Sequence, residues 1–202
     1  MTIKLIFVRH GESEDNVNKL HGGHSSAQLT KIGKEQAHNA AIYLKNEHID
    51  LFYVSDLQRT KQTADPIIRE HLNAPVIYEP RLREKNTGIH TGQPIGTSQA
   101  KAKELGLTMK EYRPENGESY DDLMVRAVSF IEDVIKTHQG KTVALISHGG
   151  TITNTILHLL KLEPNAENFD AHNPHNTAIT ILEIDNDKNH KVHLLNSIEH
   201  LN

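Results

Sequence analysis

Short apolar runs punctuate this chain, separated by stretches whose apolar positions recur three and four apart. Leu5-Ile6-Phe7-Val8, Leu51-Phe52-Tyr53-Val54 and Val143-Ala144-Leu145-Ile146 are continuously apolar, as strands are when both faces of a parallel sheet are covered. Val76-Ile77-Tyr78 reads as a shorter strand. After the first run, Ile32, Ala37, Ala40, Ala41 and Leu44 share one face of a helix that Thr30 would cap. A second helix follows the second run, capped by Ser55 or Asp56 and reaching about His71. The clearest helix spans 118–138, where Leu123, Ala127, Val128, Ile131, Val134 and Ile135 form a stripe that Gly140 ends. Another is expected over about 151–160. Two strands near 177–184 and 192–195 flank an Asp/Asn/Lys turn at 185–189.

This alternation predicts an α/β fold, a three-layer sandwich with a mostly parallel central sheet covered by helices on both faces. Residues 80–117 break the rhythm. Pro80, Pro94 and Pro114 punctuate them, and they read as a cap insertion with one short helix near 98–105, within a single domain over 1–202.

Composition narrows the function classes. The chain of 202 residues is long enough for one full core. No apolar run approaches the roughly 20 residues of a membrane span, and the first residues lack a secretory leader's charged and apolar regions. Neither a membrane partner nor export is expected. A net charge of −4 argues against a nucleic-acid partner. The absence of cysteine removes thiolate metal sites and a cysteine nucleophile, and suits a cytoplasmic location. Fifteen histidines are the unusual feature, most of them expected at the surface because one site holds only a few. His21 and His24, and His172 and His175, have metal-compatible spacing but neither helical context nor an obvious third ligand, so no metal is expected. The sequence does not set an oligomeric state.

Three strand ends carry similar polar punctuation: Arg9-His10-Gly11, the stretch from Ser55 to Arg59, and Ser147-His148-Gly149. Parallel strands deliver such loops to one edge, where ligands of open α/β sheets bind. Arginine clamps phosphate with a fixed fork, and histidine can serve as nucleophile or proton carrier. A glycine after each histidine leaves backbone N–H groups open to an anion. Two arginines and two histidines at one edge repel each other unless an anion lies among them, and a phosphoryl dianion fits.

With Asn16, Leu82-Arg83-Glu84 and the block Ser55-Asp56-Leu57-Gln58-Arg59-Thr60-Lys61-Gln62-Thr63-Ala64, these segments resemble the histidine phosphatase superfamily. That group contains the cofactor-dependent phosphoglycerate mutases and their phosphatase relatives, and the resemblance covers nearly the whole chain. It implies that His10 attacks phosphorus in line and forms a phosphohistidine. Arg9, Arg59 and His148 would hold the peripheral oxygens, and Glu84 would give a proton to the leaving alkoxide and then take one from water. Asn16, Gly23 and Gly149 would join the phosphate site, Asn176-Thr177 would support the pocket, and no metal or other cofactor is implied.

The rim departs from the family's pattern. After Glu84 the family often continues to Gly, an aromatic and Glu-Gly, whereas this chain has Gly88-Ile89-His90-Thr91-Gly92. Gly22 stands where many relatives have Gln, and Ser26 where an aspartate is common. Residues 91–118 are short for a mutase insertion, and Pro114-Glu115-Asn116-Gly117-Glu118-Ser119 looks like the phosphatase relatives. The expectation is metal-independent hydrolysis of a small phosphorylated metabolite. Mutase-type phosphotransfer is the alternative, and a non-catalytic phospho-ligand binding module a further one. Lys85, Lys101, Lys103 and Arg113 are candidates to select a second anionic group.

Overall fold

The computed structural model describes all 202 residues, Met1–Asn202. In chain order the elements are β1 (Thr2–Arg9), α1 (Glu14–Val17), α2 (Lys31–Leu44), β2 (Leu51–Val54), α3 (Gln58–Arg69), β3 (Val76–Tyr78), α4 (Thr97–Glu104), α5 (Tyr120–Thr137), β4 (Thr142–Ser147), α6 (Gly149–Leu159), α7 (Ala166–His172), β5 (Ile179–Asp185) and β6 (His190–Ser197). The strands form one sheet in the order β3-β2-β4-β1-β5-β6. The first four run parallel, while β5 lies antiparallel to β1 and β6 antiparallel to β5. The sheet is thus mixed, with the α/β sandwich predicted from the alternating pattern.

Period-two alternation divides the apolar strand residues between two cores. Ile3, Leu5 and Phe7 of β1 and Val143 and Leu145 of β4 pack with Phe130, Ile131, Val134 and Ile135 of α5 and Ile152 and Ile156 of α6. The intervening residues Ile6, Val8, Ala144 and Ile146 join Phe52 and Val54 of β2 against Ala40, Ala41 and Leu44 of α2 and Ala64 and Ile67 of α3. Each fully buried aliphatic or aromatic side chain contributes about 1.5–3 kcal/mol, so both faces of the sheet are firmly covered. No helix is long and apolar enough to cross a membrane.

Register places the site. Arg9 pairs with Ser147 and Val54 with Ile146, so β1, β4 and β2 end at one edge. The next backbone steps stay in line: His10 N–H donates to the Ser147 carbonyl at 3.0 Å, and Ser55 N–H to the Ile146 carbonyl at 3.0 Å.

Several local expectations need correction. Ile32 is 54 % exposed, and Gly33 takes its place on the buried face of α2. The reason is steric: a Cβ on Gly33 would lie 2.0 Å from the Glu12 carbonyl oxygen, so this glycine lets α2 meet the loop leaving β1. The residue capping α3 is Leu57, without a side-chain bond, because Ser55 and Asp56 are bound to His148 and Arg83. Helix α6 begins at Gly149, directly after its N-cap His148. The short helices α1 and α7 bury no residue and left no apolar stripe in the sequence. Within 80–117 the chain makes 3-10 turns at Pro80–Leu82 and Gly88–His90 and the helix α4.

Candidate active site

At the shared strand edge the rings of His10 and His148 meet edge to face, with centroids 5.2 Å apart. Both residues are buried, at 4 % and 0 % exposure. Nδ1 of His10 lies 2.7 Å from the Gly11 carbonyl. A carbonyl only accepts, so Nδ1 carries the proton and Nε2 keeps its lone pair. That lone pair faces Nε of Arg59 at 3.3 Å. Nε2 of His148 lies 2.8 Å from Oγ of Ser55. The Ser55 oxygen also receives the Leu57 N–H at 3.5 Å, and the contact to His148 fixes the orientation of that ring. Nδ1 of His148 is buried with no partner in the chain.

The arginines are held by neutral acceptors. Arg59, on the first turn of α3, is buried, and its Nη2 and Nη1 donate to the Gly23 carbonyl at 2.8 Å and the Ser25 carbonyl at 3.4 Å. Arg9, the last residue of β1, donates from Nη1 to the Pro174 carbonyl at 2.5 Å, and its Nε is buried without a partner. No carboxylate neutralises either guanidinium by direct contact. Burial holds the pKa of His10 well below 6.5, with Arg59 and then Arg9 acting in the same direction. Burial does the same for His148, followed by the charges of Arg59, His10 and Arg9. Both imidazoles are therefore neutral at physiological pH.

Glu84 reaches the start of α6. Its Oε2 accepts the Gly150 N–H at 3.0 Å and its Oε1 the Lys85 N–H at 2.9 Å. A Cβ on Gly150 would lie 2.5 Å from Glu84 Oε1, so this glycine admits the carboxylate to the start of α6. The segment carrying Glu84 is clamped by Arg126 of α5. Arg126 donates to the carbonyls of Arg81, Arg83 and Glu84 at 2.8, 3.0 and 3.3 Å, and is itself held by both oxygens of Glu118 at 2.9 and 2.8 Å. Nε2 of His24 also meets the Glu84 carbonyl, at 2.8 Å.

Asn16 turns its amide by accepting at Oδ1 from Ser13 N–H at 3.1 Å and from Asn176 Nδ2 at 3.2 Å. Its own NH2 group is left as donor. Asn176 Nδ2 donates to the His10 carbonyl as well, at 3.0 Å. Gly149 supplies the first residue of α6, against the Arg9 guanidinium: a Cβ there would stand 3.5 Å from Arg9 Cζ. Gly23 serves through its carbonyl, which orients Arg59, and at φ 43° it has no room for a side chain because Thr87 Oγ1 would lie 2.2 Å away.

Of the predicted site residues, His10, His148, Arg9, Arg59 and Glu84 come to this edge, with Asn16, Gly23 and Gly149 around them. Ser55, His24, Arg126 and Glu118 were not singled out for these roles by sequence reasoning. Ser55 lies 93 positions from the histidine it orients and Arg126 42 from Glu84, and no local spacing signals such pairs. The four cap cations do not converge. Lys101 pairs with Glu104 and Arg113 with Asp122, each at 2.6 Å, and Lys103 is exposed. In each histidine pair one ring meets a backbone carbonyl, His24 that of Glu84 and His172 Nδ1 that of Asn168, each at 2.8 Å. No group of three or more His, Asp or Glu side chains is placed to hold a metal ion.

Comparison with known proteins agrees with this geometry. The family description "histidine phosphatase superfamily (branch 1)" matches residues 5–197. The broad-specificity phosphatase YOR283W of Saccharomyces cerevisiae is 32% identical over 210 residues, which cover 98% of this chain and 87% of the relative. A 2,3-bisphosphoglycerate-dependent phosphoglycerate mutase of Cytophaga hutchinsonii is 29% identical over 79% of this chain and 78% of its own length. Among solved structures, mycobacterial glucosyl-3-phosphoglycerate phosphatase Rv2419c superposes with a TM-score of 0.81 at 26% identity, covering 98% of this chain and 100% of that one. Bacillus stearothermophilus YhfR shares the fold with a TM-score of 0.87 at 24% identity, over 99% and 100% of the two chains.

Proposed function

Since the chain belongs to the histidine phosphatase superfamily, we propose that it hydrolyses phosphomonoesters of small metabolites through a phosphohistidine on His10, without a metal. One observation carries this reading: two guanidiniums with no carboxylate partner flank an imidazole whose Nε2 lone pair is kept free. Burying unpaired charge costs several kcal/mol per ion, and a phosphoryl dianion among Arg9, Arg59 and the His148 ring would offset that cost. The Asn16 amide and the Gly149 N–H at the start of α6 add neutral donors.

The steps follow from the donors. His10 Nε2 forms a bond to phosphorus as the P–O bond to the alcohol breaks, and the leaving oxygen takes a proton from Glu84. Water then attacks phosphorus and gives its proton to the Glu84 carboxylate. The P–N bond breaks, the electron pair returns to Nε2, and inorganic phosphate leaves. Charge spreading over the equatorial oxygens meets fixed guanidinium donors, the task that divalent cations perform in other phosphoryl transferases.

Mutase-type transfer is the second reading, favoured by the likeness to the Cytophaga hutchinsonii mutase. Purified protein is expected to release phosphate from p-nitrophenyl phosphate or a metabolite ester in chelator, and His10→Ala to abolish it. Interconversion of phosphoglycerates that depends on 2,3-bisphosphoglycerate, with negligible phosphate release, would establish the mutase instead.

A further inference from the structure

The Gly11 carbonyl that holds the His10 proton is aimed from outside the phosphate cage. It shares a planar peptide unit with the Glu12 N–H, and in a trans peptide the two point in opposite directions. That N–H donates to Oε1 of Gln36, on α2, at 2.8 Å. Holding one end of the unit towards α2 turns the other end towards the imidazole, where the Gly11 oxygen lies 2.7 Å from His10 Nδ1.

Gln36 reaches this peptide because α2 runs against the loop backbone to backbone. A side chain on Gly11 would collide with the Gly33 carbonyl, and one on Gly33 with the Glu12 carbonyl. Gln36 follows Gly33 by three positions and so lies on the same face of α2, over the loop. The peptide on the other side of Gly11 is held from α3. Its N–H donates to Thr63 Oγ1 at 3.0 Å, so it is not the open anion donor expected from the sequence. Thr63 is buried, and its hydroxyl proton goes to the Arg59 carbonyl at 2.7 Å. One side chain thus ties the loop after His10 to the turn that carries Arg59. On the far side of the ring, Arg59 Nε at 3.3 Å from Nε2 favours the same tautomer. In the proposed reaction that guanidinium engages phosphate oxygens, and the Gly11 carbonyl is left to keep the proton on Nδ1.

We propose that Gln36 is a positioning residue for the attack: it aims the Gly11 carbonyl at His10, while Thr63 anchors the preceding peptide. This rests on the reading that His10 is the nucleophile.

Gln36→Met removes the acceptor and keeps the bulk, whereas Gln36→Glu keeps the acceptor. Gln36→Met is expected to lower kcat on p-nitrophenyl phosphate by about tenfold with KM within about twofold of wild type, and Gln36→Glu to stay within about threefold. Thr63→Val should reproduce the loss in kcat and Thr63→Ser recover it, which keeps the test open should one variant fold poorly. Magnetic resonance of labelled histidine ring nitrogens gives a readout independent of turnover. The wild type should show a slowly exchanging Nδ1–H, assigned to His10 by its loss in His10→Asn, and Gln36→Met should lose that slow exchange. An unchanged His10 proton in Gln36→Met, a kcat within about twofold of wild type in both Gln36→Met and Thr63→Val, or an equal loss in Gln36→Glu and Gln36→Met would overturn the positioning role and leave the hydrolase reading intact. Absence of turnover by the wild type would instead remove the hydrolase reading, and the His10 proton alone would then decide whether Gln36 aims the carbonyl.

Discussion

The attack proposed for His10 depends on its own neighbour: the Gly11 carbonyl fixes the proton on Nδ1, and burial beside two guanidiniums opposes protonation of the ring. The same burial has a cost that pH exposes. In the folded chain His10 and His148 resist protonation, whereas in the unfolded chain each titrates at 6.5. Above that value neither state carries the proton, and these groups make no difference. As pH falls below it, the unfolded chain binds protons that the fold refuses, so stability drops, by up to about 1.4 kcal/mol per pH unit per histidine. Other histidines, among them His24, His71 and His138, are shifted the same way, so the variant difference is the informative quantity. Thermal melts between pH 7.5 and 5 are expected to show a shallower fall in His10→Asn than in the wild type. Parallel curves would contradict the assignment of His10 as a buried neutral ring.

At the scale of elements, the carboxyl ends of β1, β4 and β2 supply the edge that holds the proposed nucleophile, while the segment carrying Glu84 depends on a clamp. Arg126 holds three carbonyls of the segment 81–84, and Glu118 holds Arg126. Removing the clamp leaves Glu84 in place chemically but not in position, and a displacement near 1 Å can cost about a hundredfold in rate. Arg126→Met should therefore lower kcat by about ten- to hundredfold with a smaller change in KM, and Arg126→Lys should recover part of it. A kcat for Arg126→Met within about twofold of wild type would show the clamp to be structural only. The strand-end half of this arrangement was legible in the sequence, because each block is local: an apolar run followed at once by Arg-His-Gly or Ser-His-Gly. The clamp was not. Arg126 reads as one more charge on an amphipathic helix, and nothing in the spacing of α5 tells that the carbonyls it holds lie more than 40 positions earlier. Helix α7 escaped for another reason, since a helix that buries nothing has no apolar face to display.

Across the whole molecule, a chain of net charge −4 gathers its unneutralised guanidiniums at one sheet edge and pairs most other arginines on the surface with acids. Alternation in the strands foretold the sandwich, because buried parallel strands cannot be written in any other pattern. It did not place Ile32 outward, since the choice between Ile32 and Gly33 depends on how closely α2 meets the loop at Glu12. Nor did it distinguish Lys85 from its charged neighbours in the run from Arg81 to Lys85, which only the packing of Tyr120 separates.

The central claim is that this edge exists to let one imidazole capture phosphorus. Its most direct test is to mix the protein with a phosphoester carrying labelled phosphorus, quench within one turnover, and map the bound label. An acid-labile, base-stable label is expected on His10 and none in His10→Ala. Label on another residue, or full turnover by His10→Ala, would contradict it.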